Sequence, residues 1–337
     1  MRLISCASQA LGIILPLLFL LTTGAAAQAS KETIHAPAGH GEPVIFDTDI
    51  GDDIDDVLAL GLVISSRELH LVGVTTAWGD TALRARMVDR LFLECGLNGV
   101  PVLKGPEKHH SGEAAFSQSG WAKRGPAHTH DDAVQFLLTQ AQLHPNEITL
   151  ISVGPMSNLG AAIDRDPVTF KQFKRIVLMG GSVRRGYGDF GYTNSHHIDA
   201  EYNIAMDPES AAKVFRSGVP LYVMPVDSTQ IKLGELQREL LFTHSTPLTD
   251  ALTLNYQQWS HTTKQQTPTM YDAMAVAFAI DPKLCPVTPL HLIVDAKGFT
   301  RETAGPPNAQ VCLDSDSDQF FRFYIPRLLG SQNEGQP

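Results

Sequence analysis

The sequence has few of the features that mark membrane proteins, nucleic-acid-binding proteins or disulfide-built scaffolds. Only one long apolar run is present, Leu11–Leu21 near the amino terminus, and it is too short to span a bilayer comfortably. The 26 Lys and Arg residues are outnumbered by 36 Asp and Glu residues, which argues against nucleic acid as a partner. Four cysteines in 337 residues are too few to build a fold from disulfides. We therefore expect a soluble mature chain that binds neither nucleic acid nor membrane.

The amino-terminal segment resembles a cleaved secretory signal peptide. Arg2 precedes the apolar run Leu11–Leu21, and the small-residue segment GAAAQAS follows it. Cleavage after Ala29 would remove residues 1–29, with an uncleaved anchor as the alternative. Residues 30–42 then form a flexible lead-in, and residues 43–331 form a single catalytic domain. The sequence thus predicts a secreted or periplasmic protein.

Three cysteines remain after this cleavage: Cys95, Cys285 and Cys312. They allow one disulfide at most, and three buried thiols are the simplest expectation. No C-x-x-C motif or paired Cys/His spacing indicates a zinc site.

Strand-like and helix-like runs alternate along most of the chain. Strand-like runs such as the apolar Val44–Phe46, the β-branched Leu71–Ala77 and Ile148–Val153 alternate with segments of helical period. This alternation predicts an α/β fold with a mostly parallel, Rossmann-like sheet and helices on both faces. From Gly234 to Pro282 the pattern becomes helical, so the carboxy-terminal part is expected to be helical.

Polar clusters follow the predicted strands, where ligands bind in such sheets. They include Asp47–Asp56, Trp78–Thr81, Gly154–Asn158 and Gly180–Ser182. The Gly-, His- and Tyr-rich segment Ser182–Ala200 has little periodicity, and a loop of this length is typical of a lid or a binding loop.

The segment after the first strand is strongly acidic. It holds six carboxylates in ten residues: Asp47, Asp49, Asp52, Asp53, Asp55 and Asp56. Carboxylates that converge at the end of a strand repel one another unless a cation lies between them. Because oxygen ligands suit hard cations, the loop indicates Ca²⁺ or Mg²⁺, although its spacing is not that of an EF-hand.

Five segments, in order, are similar to motifs of the nucleoside hydrolase family. They are DTDIGDDIDDVLAL, GVTTAWGDT, ITLISVGPMSNLGAAI, VLMGGS with AEYNIAMDPESAAKVF, and YDAMAVAFAIDP. The resemblance runs from about Val44 to Pro282. It implies a parallel α/β fold, a bound Ca²⁺ and hydrolysis of the N-glycosidic bond of ribonucleosides.

The resemblance also implies roles for individual residues. Asp49 corresponds to a metal ligand that is also the general base. The implied metal ligands are Asp49, Asp56, the carbonyl of Val153, and Asp272. The implied substrate-binding residues are Asp55, Asp80, Met179, Glu201 and Asn203, with Asp47 as a supporting residue.

Two departures affect these assignments. Three residues rather than one separate Gly51 from the paired acids, so Asp53 is an alternative to Asp55 at the ribose. Asp80 stands where many members have an Asn that binds the ribose.

Tyr271 is the largest departure from the family pattern. Pyrimidine-acting members have a His before the last metal-binding Asp, whereas purine-preferring members have an aromatic residue that stacks on the base. We therefore predict a purine preference, with Tyr271 at the leaving base and Trp78 as a second aromatic contact or a core residue.

The loop histidines, two alternative functions and the oligomeric state complete the predictions. His128, His130, His196 and His197 lie in polar loops, and His197 is taken as a candidate substrate contact. A phosphatase with an Asp nucleophile and a non-enzymatic nucleoside- or sugar-binding protein are the alternative functions. A homodimer and a homotetramer are both left open.

Overall fold

The computed structural model describes residues 41–112, 114–192 and 196–330, which belong to one compact unit of the chain. The strands in these ranges are β1 (Glu42–Thr48), β2 (Leu69–Thr76), β3 (Val102–Lys104), β4 (Thr149–Ser152), β5 (Arg175–Met179), β6 (Leu221–Met224), β7 (Val287–Leu290), β8 (Leu292–Val294), β9 (Thr300–Glu302) and β10 (Ala309–Cys312). The helices are α1 (Asp55–Ser65), α2 (Thr81–Cys95), α3 (Ser119–Ala122), α4 (Ala133–Leu143), α5 (Ser157–Arg165), α6 (Pro167–Phe170), α7 (Tyr202–Met206), α8 (Pro208–Phe215), α9 (Val226–Thr229), α10 (Glu235–Phe242), α11 (Pro247–Thr263), α12 (Tyr271–Ile280) and α13 (Ser317–Leu328). The predicted signal peptide lies outside the described residues. So does most of the predicted lead-in, although its last residue, Glu42, begins β1.

Eight strands form one sheet in the order β3-β2-β1-β4-β5-β6-β10-β7. Neighbouring strands run parallel except β10 and β7, which pair antiparallel. The strand order reverses between β1 and β4, and in doubly wound sheets the ligand crevice lies at that switch point, outside the carboxyl ends of the strands. The predicted α/β class is therefore confirmed.

Alternate side chains of the central strands enter two separate hydrophobic cores. In β1, Val44 and Phe46 pack into one core, and Ile45, which points to the opposite face, packs into the other. The first core includes apolar residues of α1, α2, α11, α12 and α13, and the second includes those of α4, α5, α6 and α8. Helices therefore cover both faces of the sheet, as the continuous apolar strands predicted.

The first six strands overlap apolar runs in the sequence, but the last four were not predicted. Segment 287–312 contains strands of only three or four residues, one with an internal proline and one, β9, with the sequence TRE. The carboxy-terminal part, which was expected to be helical, is helical from α10 to α12. Beyond α12 it contains both strands, β7 to β10, and a helix, α13. Among the described residues of loop 182–200, none belongs to a helix or strand.

Cys285 and Cys312 form a disulfide next to β7 and β10, and Cys95 is a buried free thiol. The expectation of three buried thiols was wrong, whereas the limit of one disulfide holds. No helix in the described part of the chain has the length and apolarity needed to cross a bilayer.

Candidate active site

The acidic loop Asp47–Asp56 joins β1 to α1 at the switch point of the sheet and is closely packed on both sides. Gly51 has a φ of 124°, and a Cβ at this position would collide with the ring of Phe116. A Cβ on Gly154, after β4, would lie 2.7 Å from the carboxylate Oδ1 of Asp49. Glycine is therefore required at both positions for the loop to adopt this path.

Asp47 supports the site from the end of β1. Its fully buried carboxylate accepts hydrogen bonds from Thr75 Oγ1 and Asn158 Nδ2, both at 2.6 Å, and from Ser152 Oγ at 3.3 Å. Burial raises the pKa of Asp47 to about 6, and these hydrogen bonds partly offset that rise. Asp47 thus joins β1, β2 and β4 beside the site, which agrees with its predicted supporting role.

Arg84 of α2 is a site residue that the sequence did not reveal. Its buried guanidinium forms an ion pair with Asp52 at 2.8 Å and donates hydrogen bonds to the backbone carbonyls of Asp49, Ile50 and Trp78. One of the six acids is therefore neutralised by a fixed protein cation, and the backbone of the acidic loop is held by the same side chain.

Three other acids converge without such a partner. Carboxylate oxygens of Asp55, Asp56 and Asp272 lie within 4.8 Å of one another, and all three side chains are buried. They occupy the first turns of α1 and α12, where the helix dipoles favour negative charge. Asp55, rather than Asp53, is the residue that joins this cluster.

The cluster is a good fit for a cation. Burial raises the pKa of Asp55, Asp56 and Asp272 well above their ordinary values, and repulsion from neighbouring carboxylates raises them further. Thr48 Oγ1 donates a hydrogen bond to Asp56, which offsets only part of this cost. Carboxylates that are both buried and mutually repelling are stabilised by a positive ion between them, and an all-oxygen donor set suits a hard divalent cation.

A cavity of about 260 Å³ opens onto the carboxylate cluster. Its volume is near the lower end of the range for small-molecule sites, about 300 Å³. Its lining residues are Asp49, Asp52, Asp53, Asp55, Asp56, Ala114, Val153, Met179, Tyr187, Glu201, Tyr202, Asn203, Tyr271 and Asp272. The structure therefore brings together nine of the predicted site residues, from five separate regions of the chain.

Glu201 and Asn203 are rigidly held on the side of the cavity formed by β5 and α7. Glu201 accepts hydrogen bonds from the backbone amides of Gly181 at 2.8 Å and Asn203 at 3.0 Å. The Asn203 side-chain amide donates to the carbonyls of Val153 at 2.9 Å and Met179 at 3.2 Å. Burial is the main cause of the raised pKa of Glu201, and the hydrogen bonds from backbone amides partly offset that rise. The oxygens of its fixed side chain have further lone pairs that can accept a hydrogen bond from a ligand hydroxyl.

Three tyrosines line the cavity, of which the sequence identified only Tyr271. The rings of Tyr187 and Tyr271 meet edge to face with centroids 6.0 Å apart. Tyr202 Oη accepts a hydrogen bond from the amide of Ala114 at 3.0 Å. Two signals could have revealed the other tyrosines: Tyr187 lies in the predicted binding loop, and Tyr202 separates Glu201 from Asn203.

Several predicted contacts do not line the cavity. Trp78 is 2% exposed, as expected for its alternative role as a core residue. Asp80 instead caps α2, accepting a hydrogen bond from the Leu83 amide at 2.9 Å. His197 is exposed and lies 3.4 Å from Asp199.

The remaining loop histidines also lie elsewhere. His196 contacts Asp189 at 2.7 Å, and His130 contacts Asp89 at 2.7 Å with His128 nearby. None of these histidines is therefore placed at the cavity.

The chain is similar to proteins of known activity over most of its length. The family model described as inosine-uridine preferring nucleoside hydrolase matches residues 44–322. A non-specific ribonucleoside hydrolase, RihC, from Escherichia coli is 29% identical over 308 residues, which cover 82% of this chain and 95% of the relative.

Solved structures share the fold. A plant nucleoside hydrolase, PpNRh1, has a TM-score of 0.72 at 22% identity, over 86% of this chain and 99% of its own. A purine-preferring ribonucleoside hydrolase from Gardnerella vaginalis has a TM-score of 0.71 at 24% identity, over 86% and 98%. The family match covers most of the sequence and includes every residue that lines the cavity. The chain therefore belongs to the inosine-uridine preferring nucleoside hydrolase family and is a nucleoside hydrolase.

Proposed function

We propose that this protein is a calcium-dependent ribohydrolase that releases the base from ribonucleosides and prefers purines. The observation that carries the proposal is the meeting of the Asp55–Asp56–Asp272 cluster, a fixed Glu201 and an aromatic wall in one cavity. The name of the Escherichia coli relative supports a ribonucleoside substrate.

Calcium is the cation that best suits this oxygen-only site. The proposed ligands are the carboxylates of Asp49, Asp56 and Asp272 and the carbonyl of Val153, with Asp55 adjacent. The Val153 carbonyl accepts a hydrogen bond from Asn203 but keeps a second lone pair for an ion. When bound, the ion would supply positive charge that neutralises these acids and makes a neighbouring water more acidic.

Asp49 is the proposed general base. Its carboxylate lines the cavity, and burial is the main cause that raises its pKa, to about 7 in the metal-free protein, with Arg84 opposing that rise. The backbone of Asp49 is fixed by Arg84, so its carboxylate has a defined direction into the cavity. A fixed carboxylate beside an attacking water is suited to take its proton.

The polar side of the cavity is the proposed ribose site. Asp55, Glu201 and Asn203 present acceptors and donors that are already oriented by backbone hydrogen bonds. Negative charge around the sugar stabilises the positive charge that develops as the glycosidic bond breaks.

Tyr271 and Tyr187 form the proposed base site. Burial raises the pKa of Tyr271 to about 12, so its phenol stays protonated at neutral pH and is a weak acid toward a leaving base. The two rings instead offer aromatic surface, which favours the larger purine ring system. A departing purine can take its proton from solvent at N7.

The test is a nucleoside panel followed by release of reducing sugar, with calcium present and after removal by a chelator. Inosine and adenosine should be hydrolysed faster than uridine, and uridine faster than 2′-deoxyinosine, because loss of a hydroxyl leaves buried polar groups unpaired. Equal or better kcat/KM for uridine than for inosine would refute the purine preference. Full turnover of inosine in metal-free protein would refute the calcium requirement.

We also propose that residues 1–29 are removed on export and that the mature chain begins near Ser30. The Cys285–Cys312 disulfide supports this, because such bonds persist mainly in oxidising compartments. Terminal sequencing of the protein from its native host tests it, and a chain that begins at Met1 would contradict it. The choice between homodimer and homotetramer stays a prediction for sedimentation measurements.

A further inference from the structure

A second group of metal-ligating side chains lies outside the active-site cavity. Asp89, His128 and His130 each offer a ligand atom, and these atoms lie within 4.8 Å of one another. Nε2 of His130 is 2.7 Å from Oδ2 of Asp89, and Nε2 of His128 is 3.5 Å from the same oxygen. The two imidazole rings are 4.3 Å apart between centroids.

Two separate segments build this group. Asp89 lies within α2, and the two histidines lie in the segment that leads from α3 to α4. Residues 126–130 have no helical structure, and in an extended segment residues i and i+2 point to the same side, which directs His128 and His130 together toward Asp89. The H-x-H spacing is visible in the sequence, but Asp89 is 39 positions away and gives no local signal.

A hydrogen bond between His130 and Asp89 accounts for only part of this arrangement. That bond explains the position of the nearly buried His130. His128 is half-exposed and could point into solvent, but its ring instead approaches the same carboxylate oxygen. In a tetrahedral zinc site with bonds of about 2.0–2.1 Å, ligand atoms are about 3.3 Å apart. The His128–Asp89 separation already has this value, and the His130–Asp89 separation reaches it with a small shift.

We propose that Asp89, His128 and His130 form a second metal site, which takes zinc rather than calcium. Two imidazoles and one carboxylate suit zinc, whereas calcium prefers oxygen ligands alone. Because His128 is half-exposed, water can reach the fourth coordination position of the zinc ion.

Such an ion would join α2 to segment 114–132. That segment also reaches the active site, since Ala114 lines the cavity and Gln118 donates a hydrogen bond to the carbonyl of Asp53. The second site is therefore a structural tie that holds the end of a segment covering the catalytic loop.

Zinc binding to the purified mature protein tests this inference. Calcium is kept saturating so that the carboxylate cluster is occupied, and zinc is titrated against a chromogenic chelator. His128→Ala and Asp89→Asn should each raise the Kd for zinc at least about tenfold, because even the loss of a ligand's outer-shell partner has an effect of that size. His261→Ala, which removes another exposed histidine, is the matched control and should leave the Kd unchanged.

Thermal unfolding gives a second readout that is independent of enzyme activity. Zinc should raise the Tm of the wild-type protein and of His261→Ala but not that of His128→Ala, whose exposed side chain is not needed for folding. Equal zinc affinity in wild type and His128→Ala, or no zinc bound by the wild type under calcium saturation, would overturn the proposal and leave the proposed function untouched.

Discussion

The guanidinium of Arg84 lies 2.8 Å from Oδ2 of Asp52, and both side chains are almost fully buried. The same guanidinium binds the backbone carbonyl of Asp49, the proposed base. Arg84 is therefore a positioning residue, which fixes the loop while leaving the other carboxylates free for a cation.

Replacement of Arg84 by Met should destabilise the protein strongly. It removes the cation that is paired with the buried Asp52 carboxylate, and breaking a buried ion pair in this way typically costs about 3–5 kcal/mol. The measurement is urea unfolding of wild type, Arg84→Met and the double variant Arg84→Met with Asp52→Asn. The double variant should recover much of the lost stability, because it also removes the buried negative charge that Arg84 balanced. A double variant no more stable than the single one would show that the loop contacts, not the ion pair, dominate.

Substitutions at Tyr271 should separate stacking from acid catalysis. Tyr271→Ala removes the ring and with it a stacking free energy on the order of 1–3 kcal/mol. The kcat/KM for inosine should therefore fall about tenfold or more. Tyr271→Phe keeps the ring and should stay close to wild type, since the phenol is held protonated. Calcium content should be the same in both variants. If Tyr271→Phe loses as much activity as Tyr271→Ala, the hydroxyl rather than the ring is what matters.

Glu42, at the start of β1, should make stability depend on pH in the acidic range. Burial alone would raise its pKa, but hydrogen bonding from Thr149 and the charges of Arg175 and Lys174 bring the pKa below its ordinary value of 4.5. The ionised group therefore stabilises the fold above about pH 4.5, and this contribution is lost as the pH falls through the lowered folded-state pKa.

Glu42→Gln tests this linkage. At pH 7 it should cost about 1 kcal/mol, a value reduced for the partial exposure of the group. Unfolding measured across the acidic range should show the difference between wild type and variant shrinking as the pH falls. A difference that is constant with pH would mean that the Glu42 charge does not contribute.

The Cys285–Cys312 bond should contribute to stability and not to catalysis. It closes a loop with a sequence separation of 27, for which the chain-entropy relation gives about 3–4 kcal/mol. The paired variant Cys285→Ser with Cys312→Ser should unfold at lower urea concentration and keep its kcat/KM, since neither residue lines the cavity. Cys95→Ser serves as the control for a buried thiol outside the bond. Unchanged stability in the paired variant would indicate that the disulfide does not form in the mature protein.

The regular part of the fold could be predicted from the sequence because its first six strands overlap apolar or β-branched runs that polar residues follow. Val44–Phe46 and Ile148–Val153 mark β1 and β4 and thereby locate the switch point. The carboxy-terminal strands could not be predicted in this way. β9, for example, has two exposed residues out of three and is specified by its pairing with β8.

The site residues that belong to a sequence motif could be predicted. Residues that reach the site from another part of the chain could not. Asp49, Asp56 and Asp272 follow from local patterns, and all three line the cavity. Arg84 has no sequence signal of this kind, because its role depends on α2 packing against a loop some thirty residues earlier. Trp78 lies within a motif, but its side chain is buried in the fold and does not line the cavity.

The most direct test of the central claim is to measure calcium content and inosine hydrolysis together in Asp272→Asn. Asp272 joins α12 to the carboxylate cluster, and its neutralisation removes one charge from the proposed ion site. Asp316→Asn, which replaces the exposed cap of α13, is the matched control and should behave as wild type. We expect Asp272→Asn to lose bound calcium and inosine turnover in parallel, with turnover partly restored at high calcium. An Asp272→Asn protein that keeps full turnover, or that keeps its calcium while losing turnover, would contradict the account.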